Sequence, residues 1–133
     1  MEVICRNVSK LDSDSQVRKA EKKYQFAFPE SVIDFFVNNN GGNPIKKEFA
    51  VNNTVYEIRC FLSFQDGDYN EIYTALESFQ KETNGKILPL AKDSGDSYYC
   101  LNVETENIYY WDKEENLYYK LADTFEEFIG YLM

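Results

Sequence analysis

The last third of the chain restricts the fold most. Residues 98–103, 107–112 and 117–121 are short runs rich in Tyr, Leu, Ile and Val, parted only by Glu104-Thr105-Glu106 and Lys113-Glu114-Glu115-Asn116. A parallel crossover needs roughly a dozen residues or more, so links this short predict an antiparallel meander. Side chains alternate across a strand. One face then carries Tyr99, Leu101, Val103, Ile108, Tyr110, Leu117, Tyr119 and Leu121, and reads as core. The other carries Tyr98, Cys100, Asn102, Tyr109, Trp111, Tyr118 and Lys120, and reads as half-exposed.

Such a sheet needs cover, and the rest of the sequence supplies helices. Ser13-Asp14-Ser15-Gln16 resembles a capping box, followed by Val17, Ala20 and Tyr24 at helical spacing. Phe28-Pro29 opens a second helix with proline expected at its first position, and Val32, Ile33, Phe36 and Val37 form its stripe. Asn40-Gly41-Gly42 followed by Pro44 stops it, one glycine taking a left-handed conformation. Residues 48–51 and 54–59 flank Asn52-Asn53 as a hairpin, and 60–64 reads as a short apolar strand. Asp68-Tyr69-Asn70-Glu71 caps a third helix bearing Ile72, Leu76 and Phe79, ending near Asn84-Gly85. Within Ile87-Leu88-Pro89-Leu90-Ala91, proline is expected to limit sheet pairing. Asp123-Thr124-Phe125-Glu126 caps a last helix with Phe125, Phe128, Ile129 and Leu132 inward. The expected fold is α+β: a mixed or mainly antiparallel central sheet flanked by about four helices.

At 133 residues the chain fits one domain, 1–133. With 44% apolar residues it can bury a core, and its mean hydropathy of −0.54 and lack of a long charge-free run argue against a membrane span. Met1-Glu2-Val3-Ile4-Cys5-Arg6 lacks the apolar stretch of a signal peptide, and Cys5, Cys60 and Cys100 are odd in number and far apart. Reduced thiols and a cytoplasmic location are expected. The net charge of −9 is unevenly placed: residues 93–133 hold ten acids and two bases, whereas the first 92 hold thirteen and twelve. That field repels phosphate backbones and attracts basic proteins, so direct nucleic-acid binding is disfavoured.

Histidine is absent. Ser-His and Cys-His nucleophile pairs, a histidine base and histidine metal ligands are therefore excluded, and three scattered cysteines cannot make a four-thiolate zinc site. Carboxylate chemistry is the enzymatic route left, and abundant acids alone do not argue for it. Asp66, Asp68, Asn70 and Glu77 fall at positions 1, 3, 5 and 12 of a calcium-type loop, but Glu71 stands where that loop needs glycine. An acidic turn capping a helix explains them better. Asn40-Gly41-Gly42-Asn43-Pro44 follows a helix and Asp93-Ser94-Gly95-Asp96 carries two carboxylates, so neither suits a phosphate. No catalytic residue, metal site or cofactor is expected.

A partner-binding surface is expected instead at the acidic turns of Asp93, Asp96, Asp112, Glu114 and Glu115, with Tyr109 and Trp111 as anchors beside them. Tyr98, Tyr109, Trp111 and Tyr118 share a face that is either such an interface or the seat of a helix.

Several of these segments, in this order, resemble the SUKH superfamily, which includes bacterial toxin-immunity proteins and a yeast cell-wall assembly regulator. The resemblance runs over about 21–132: Glu21, Tyr24 and Phe28-Pro29; Asn40-Gly41-Gly42 and Pro44; Leu88-Pro89-Leu90-Ala91; and Asp93-Ser94-Gly95-Asp96. It continues through Cys100-Leu101-Asn102 and Ile108-Tyr109-Tyr110-Trp111-Asp112 to Thr124-Phe125-Glu126-Glu127-Phe128 and Leu132. Phe28 replaces the usual leucine, Asn102 a common aspartate and Ser94 a frequent glycine. The resemblance implies an α+β, non-catalytic, cytoplasmic protein that binds and neutralises a cognate toxin, often a nuclease with a basic cleft. The alternative it leaves open is a regulatory scaffold module. Oligomeric state stays open.

Overall fold

The computed structural model describes residues 3–133. Four helices, α1 (Ser15–Tyr24), α2 (Glu30–Asn39), α3 (Tyr73–Thr83) and α4 (Phe125–Gly130), pack with a five-stranded sheet. Its strands are β5 (Cys60–Phe61), β6 (Ile87–Lys92), β7 (Tyr98–Asn102), β8 (Ile108–Asp112) and β9 (Leu117–Ala122). They lie side by side in sequence order, every neighbour antiparallel. Two small ribbons complete the fold: β1 (Cys5–Arg6) with β2 (Asn43–Pro44), and β3 (Glu48–Val51) with β4 (Thr54–Glu57). The architecture is α+β, as the alternation and short links require.

The predicted alternation holds in register: Tyr99, Tyr110 and Tyr119 are neighbours across β7–β9, as are Tyr98, Trp111 and Tyr118. The Tyr99 face carries the main core: Tyr99, Leu101, Ile108 and Leu121 are buried, and Phe49 and Phe128 pack on the Tyr99 ring. Leu117 and Tyr119, expected in the core, are 49% and 39% exposed. They lie on the outermost strand, beyond the reach of the elements that cover the face.

Local details depart from expectation for identifiable reasons. Asp14 precedes α1, but its carboxylate pairs with Arg18 at 3.2 Å instead of capping, and Ser13 Oγ accepts the Ser15 N–H. Pro29 lies one residue before α2 instead of inside it, and its carbonyl accepts from Val32 and Ile33. Burial of Val32, Ile33 and Phe36 contributes about 1.5–3 kcal/mol each. Pro89 does not shorten β6, which pairs with β7 from Ile87 to Lys92 by shifting register between Pro89 and Ala91. The irregularity absorbs the missing donor. Asn52 and Asn53 both have positive φ, making the hairpin turn as predicted.

Glu21, the first residue of the SUKH-like pattern, has a structural task. Its Oε2 accepts the Phe28 N–H at 2.8 Å and so closes the α1–α2 link.

Candidate partner-binding site

An antiparallel meander places alternate turns at the same end of the sheet, and the two acidic turns meet there. The Lys113 N–H donates to Ser97 Oγ at 3.0 Å, joining the β6–β7 turn to the β8–β9 turn. Tyr110 OH donates to Asp93 Oδ2 at 2.6 Å, while Asp93 Oδ1 accepts from the Gly95 and Ser97 N–H groups at 2.9 Å each. Asp112 Oδ1 likewise accepts from Glu114 and Glu115 N–H. Asp93 and Asp112 are thus spent on shaping the turns. Asp96, Glu114 and Glu115 project to solvent, Asp96 with Lys92 Nζ 3.8 Å away. Ser94 donates twice to Glu57, tying the first turn to β4.

The aromatic face is divided between its two readings. Phe79 of α3 meets Tyr98 and Trp111 edge-on, with centroids 5.6 and 5.4 Å apart, and Tyr98 stacks with Trp111 at 6.2 Å. Trp111 is half-buried and its Nε1–H donates to Asn116 Oδ1 at 2.8 Å, so the indole is held in one pose. Tyr109 lies two residues along the same face against Tyr118 at 6.3 Å. Between α3 and this face runs an open groove of about 620 Å³, bordered by Ser78, Phe79, Glu82, Trp111, Asn116 and Tyr118. Burial, with the Cys100 thiol and the Glu82 carboxylate nearby, pushes the Tyr118 phenol up to about 12.

The α3 side of this groove was not legible as a site, since Ser78 and Glu82 read simply as the polar flank of an amphipathic helix. Also missed was a buried polar knot behind the Asn-Gly-Gly turn. Asn40 donates to Ser9 O and Ser63 Oγ and accepts the Phe64 N–H. Asn70 donates to the carbonyls of Gly41 and Phe61, and Ser63 Oγ donates to Asp68 Oδ2. The calcium-like quartet is therefore dispersed: Asp68 and Asn70 serve this knot, and Glu77 accepts from Tyr24 OH. Burial raises all three thiols, Cys5 to about 11, Cys60 and Cys100 upward too, so none is an activated nucleophile. Among the described residues no helix is long and apolar enough to cross a membrane.

Comparison with known proteins fits this picture. An uncharacterised SPbeta prophage-derived protein of Bacillus subtilis (strain 168), YokK, is 26% identical over 66 residues. Those residues are 47% of this chain and 34% of that protein, so the match spans about a third of the relative's length. A crystal structure of a protein from Pseudomonas syringae pv. tomato superposes with a TM-score of 0.53 at 14% identity, covering 84% of this chain and 75% of that one, a likeness of fold. Residues 13–130 match the SMI1 / KNR4 family (SUKH-1), a span that takes in all four helices and the meander, and the chain belongs to that family.

Proposed function

We propose that this chain is an immunity protein: it binds a cognate bacterial toxin in the cytoplasm and neutralises it by occupying its surface, without catalysis. Membership of a family of immunity and regulatory domains supports the reading most directly. The histidine-free composition and the inert thiols agree with it. The surface we assign to the toxin is the end of the sheet where Asp96, Glu114 and Glu115 stand in solvent beside Trp111, with Tyr109 further along the same face. A nuclease is the plausible class of toxin, since its phosphate-binding cleft is basic and an acidic surface complements it. The residues 1–133 act as one binding unit.

The test is to co-express this protein with any toxin domain encoded by a reading frame that neighbours its gene. Rescue of growth and a stoichiometric complex on gel filtration are expected. Failure to rescue, combined with stable association with non-toxic cellular proteins, would replace immunity by the scaffold reading.

A further inference from the structure

The sheet is closed at one edge and open at the other. At the β5 edge, Phe61 N–H donates to Gly42 O at 2.8 Å and Gly41 N–H to Leu62 O at 3.2 Å, so the Asn-Gly-Gly turn covers that strand. β9 has no such cover. Leu121 and Ala122 are buried and the Leu121 carbonyl is taken by Tyr131 OH, but residues 117–120 are exposed. Among the described residues, the backbone of 117–120 bonds to no element other than β8. At about 3.4 Å per residue this is about 14 Å of strand with unpaired N–H and C=O groups. Its side chains are apolar on both faces of the sheet: Leu117 is 49% exposed, Tyr118 and Tyr119 39% each. An open edge is ordinarily guarded by charge. Here the one guard, Lys120, is neutralised by Asp123 at 2.6 Å.

Charge decides what fits there. The edge is preceded by Glu114 and Glu115 and followed by Asp123, Glu126 and Glu127, all exposed; Asp123 offsets Lys120, the only base from 114 to 133, and the other four acids are left unbalanced. Antiparallel pairing with a second copy would set the acids before one β9 beside those after the other, in two molecules already at −9 each. We infer that residues 117–120 accept an extended segment of a protein partner, apolar in its middle and bearing Lys or Arg at both ends. The inference rests on the reading of this chain as a protein-binding domain and adds the surface and the chemistry of the segment bound. Main-chain bonds along the edge supply affinity, and Leu117, Tyr118 and Tyr119 with the flanking acids supply selectivity.

The experiment pans a phage-displayed library of random twelve-residue peptides against the folded protein. Enriched peptides are then synthesised and their footprint read by hydrogen–deuterium exchange. Basic ends around an apolar centre are expected, with exchange in 117–120 slowed about tenfold or more. Binding should weaken about tenfold in Glu114→Lys/Glu115→Lys and in Asp123→Lys/Glu127→Lys, each shown to fold by circular dichroism. Enriched peptides without basic ends, protection confined to the α3 groove, or no enrichment would each overturn the inference. So would a dimer in sedimentation that protects 117–120 by itself. Growth rescue that survives a failed edge test would refute the edge alone. Peptide capture at β9 with no toxin neutralised would refute immunity alone.

Discussion

Tyr110 OH and Asp93 Oδ2 are 2.6 Å apart, and this contact holds the β6–β7 turn against β8. The remaining Asp93 oxygen is already shared between two N–H groups, so the phenol completes the carboxylate's bonding. Tyr110→Phe should lower stability by about 1 kcal/mol, the net worth of one such bond, and leave the overall fold intact. Urea denaturation reads the loss, and faster exchange at Gly95 and Ser97 should accompany it. An unchanged midpoint would show that the turn does not depend on the phenol.

The same contact sets an alkaline limit. Burial first, then the bond to Asp93, raises Tyr110 from its ordinary 10 to about 12, and Tyr118 rises to about 12 as well. Burial raises Cys5 from 9.0 to about 11. For each group the folded state holds its proton more tightly than the unfolded one. Its stabilising effect is therefore whole below the unfolded value and is lost as pH climbs towards the folded value. Denaturation midpoints should fall progressively between about pH 9 and pH 12, and less steeply in Tyr118→Phe. A flat profile through that window would contradict the assigned shifts.

How far the fold could be read beforehand depended on range. The meander was legible because period-two alternation and three- and four-residue links leave one pairing, and the observed pairing follows it except for a shift between Ile108 and Tyr109 that leaves Leu121 unpaired. The stripes of α2 and α4 were legible for the same local reason. The exposure of Leu117 and Tyr119 was not, because alternation assigns a face but not how far cover extends along it. The β1–β2 ribbon was not legible either, since two-residue strands 37 or more positions apart leave no periodic trace. At the candidate site, the structure joins the two acidic turns, but the division of labour among their acids was hidden. Nothing local says that Asp93 and Asp112 fold their turns while Asp96, Glu114 and Glu115 stand exposed. The contribution of α3 to the groove requires the tertiary structure.

Gly41 and Gly42 should fail for different reasons. Gly41 has φ +68°, and a Cβ there would also lie 3.3 Å from Ser63 Cβ. Gly41→Val should cost roughly 1–2 kcal/mol from the left-handed backbone alone, with Gly41→Asn milder. A Cβ on Gly42 would lie 2.8 Å from Cys5 Cβ, so Gly42→Ala should cost about 1–3 kcal/mol by pushing β1 away. Thermal melts check both. Partial recovery of Gly42→Ala by Cys5→Gly would confirm the steric cause, and equal losses without recovery would reject it.

Asn40→Ala should be among the most destabilising single changes in the chain. The side chain is fully buried and satisfies the Phe64 N–H, the Ser9 carbonyl and Ser63 Oγ together. Its loss strands these groups away from water, and about 2–3 kcal/mol is expected. Asn40→Asp should fare no better, since a carboxylate cannot donate to the carbonyl. A midpoint shifted by less than that of Tyr110→Phe would mean that water replaces the amide.

The binding surface makes the last prediction, and it separates two kinetic roles. Asp96 and Glu114 are exposed at the end of the sheet where the two turns meet, so they act at a distance on an approaching basic toxin. Asp96→Lys with Glu114→Lys should slow association about tenfold at low salt and flatten its salt dependence, with little change in dissociation. Trp111 acts at contact: it is half-buried, fixed by Asn116 and wedged between Tyr98 and Phe79. Trp111→Ala should therefore raise the dissociation rate, and it should also cost stability because those packing contacts vanish. Asn116→Ala distinguishes the two effects: it frees the indole without removing it, and should quicken dissociation while leaving most of the packing in place. Surface plasmon resonance against a toxin that this protein neutralises in the growth assay measures all three variants. If the double lysine variant associates as fast as the parent, the acidic turns are not where the toxin approaches.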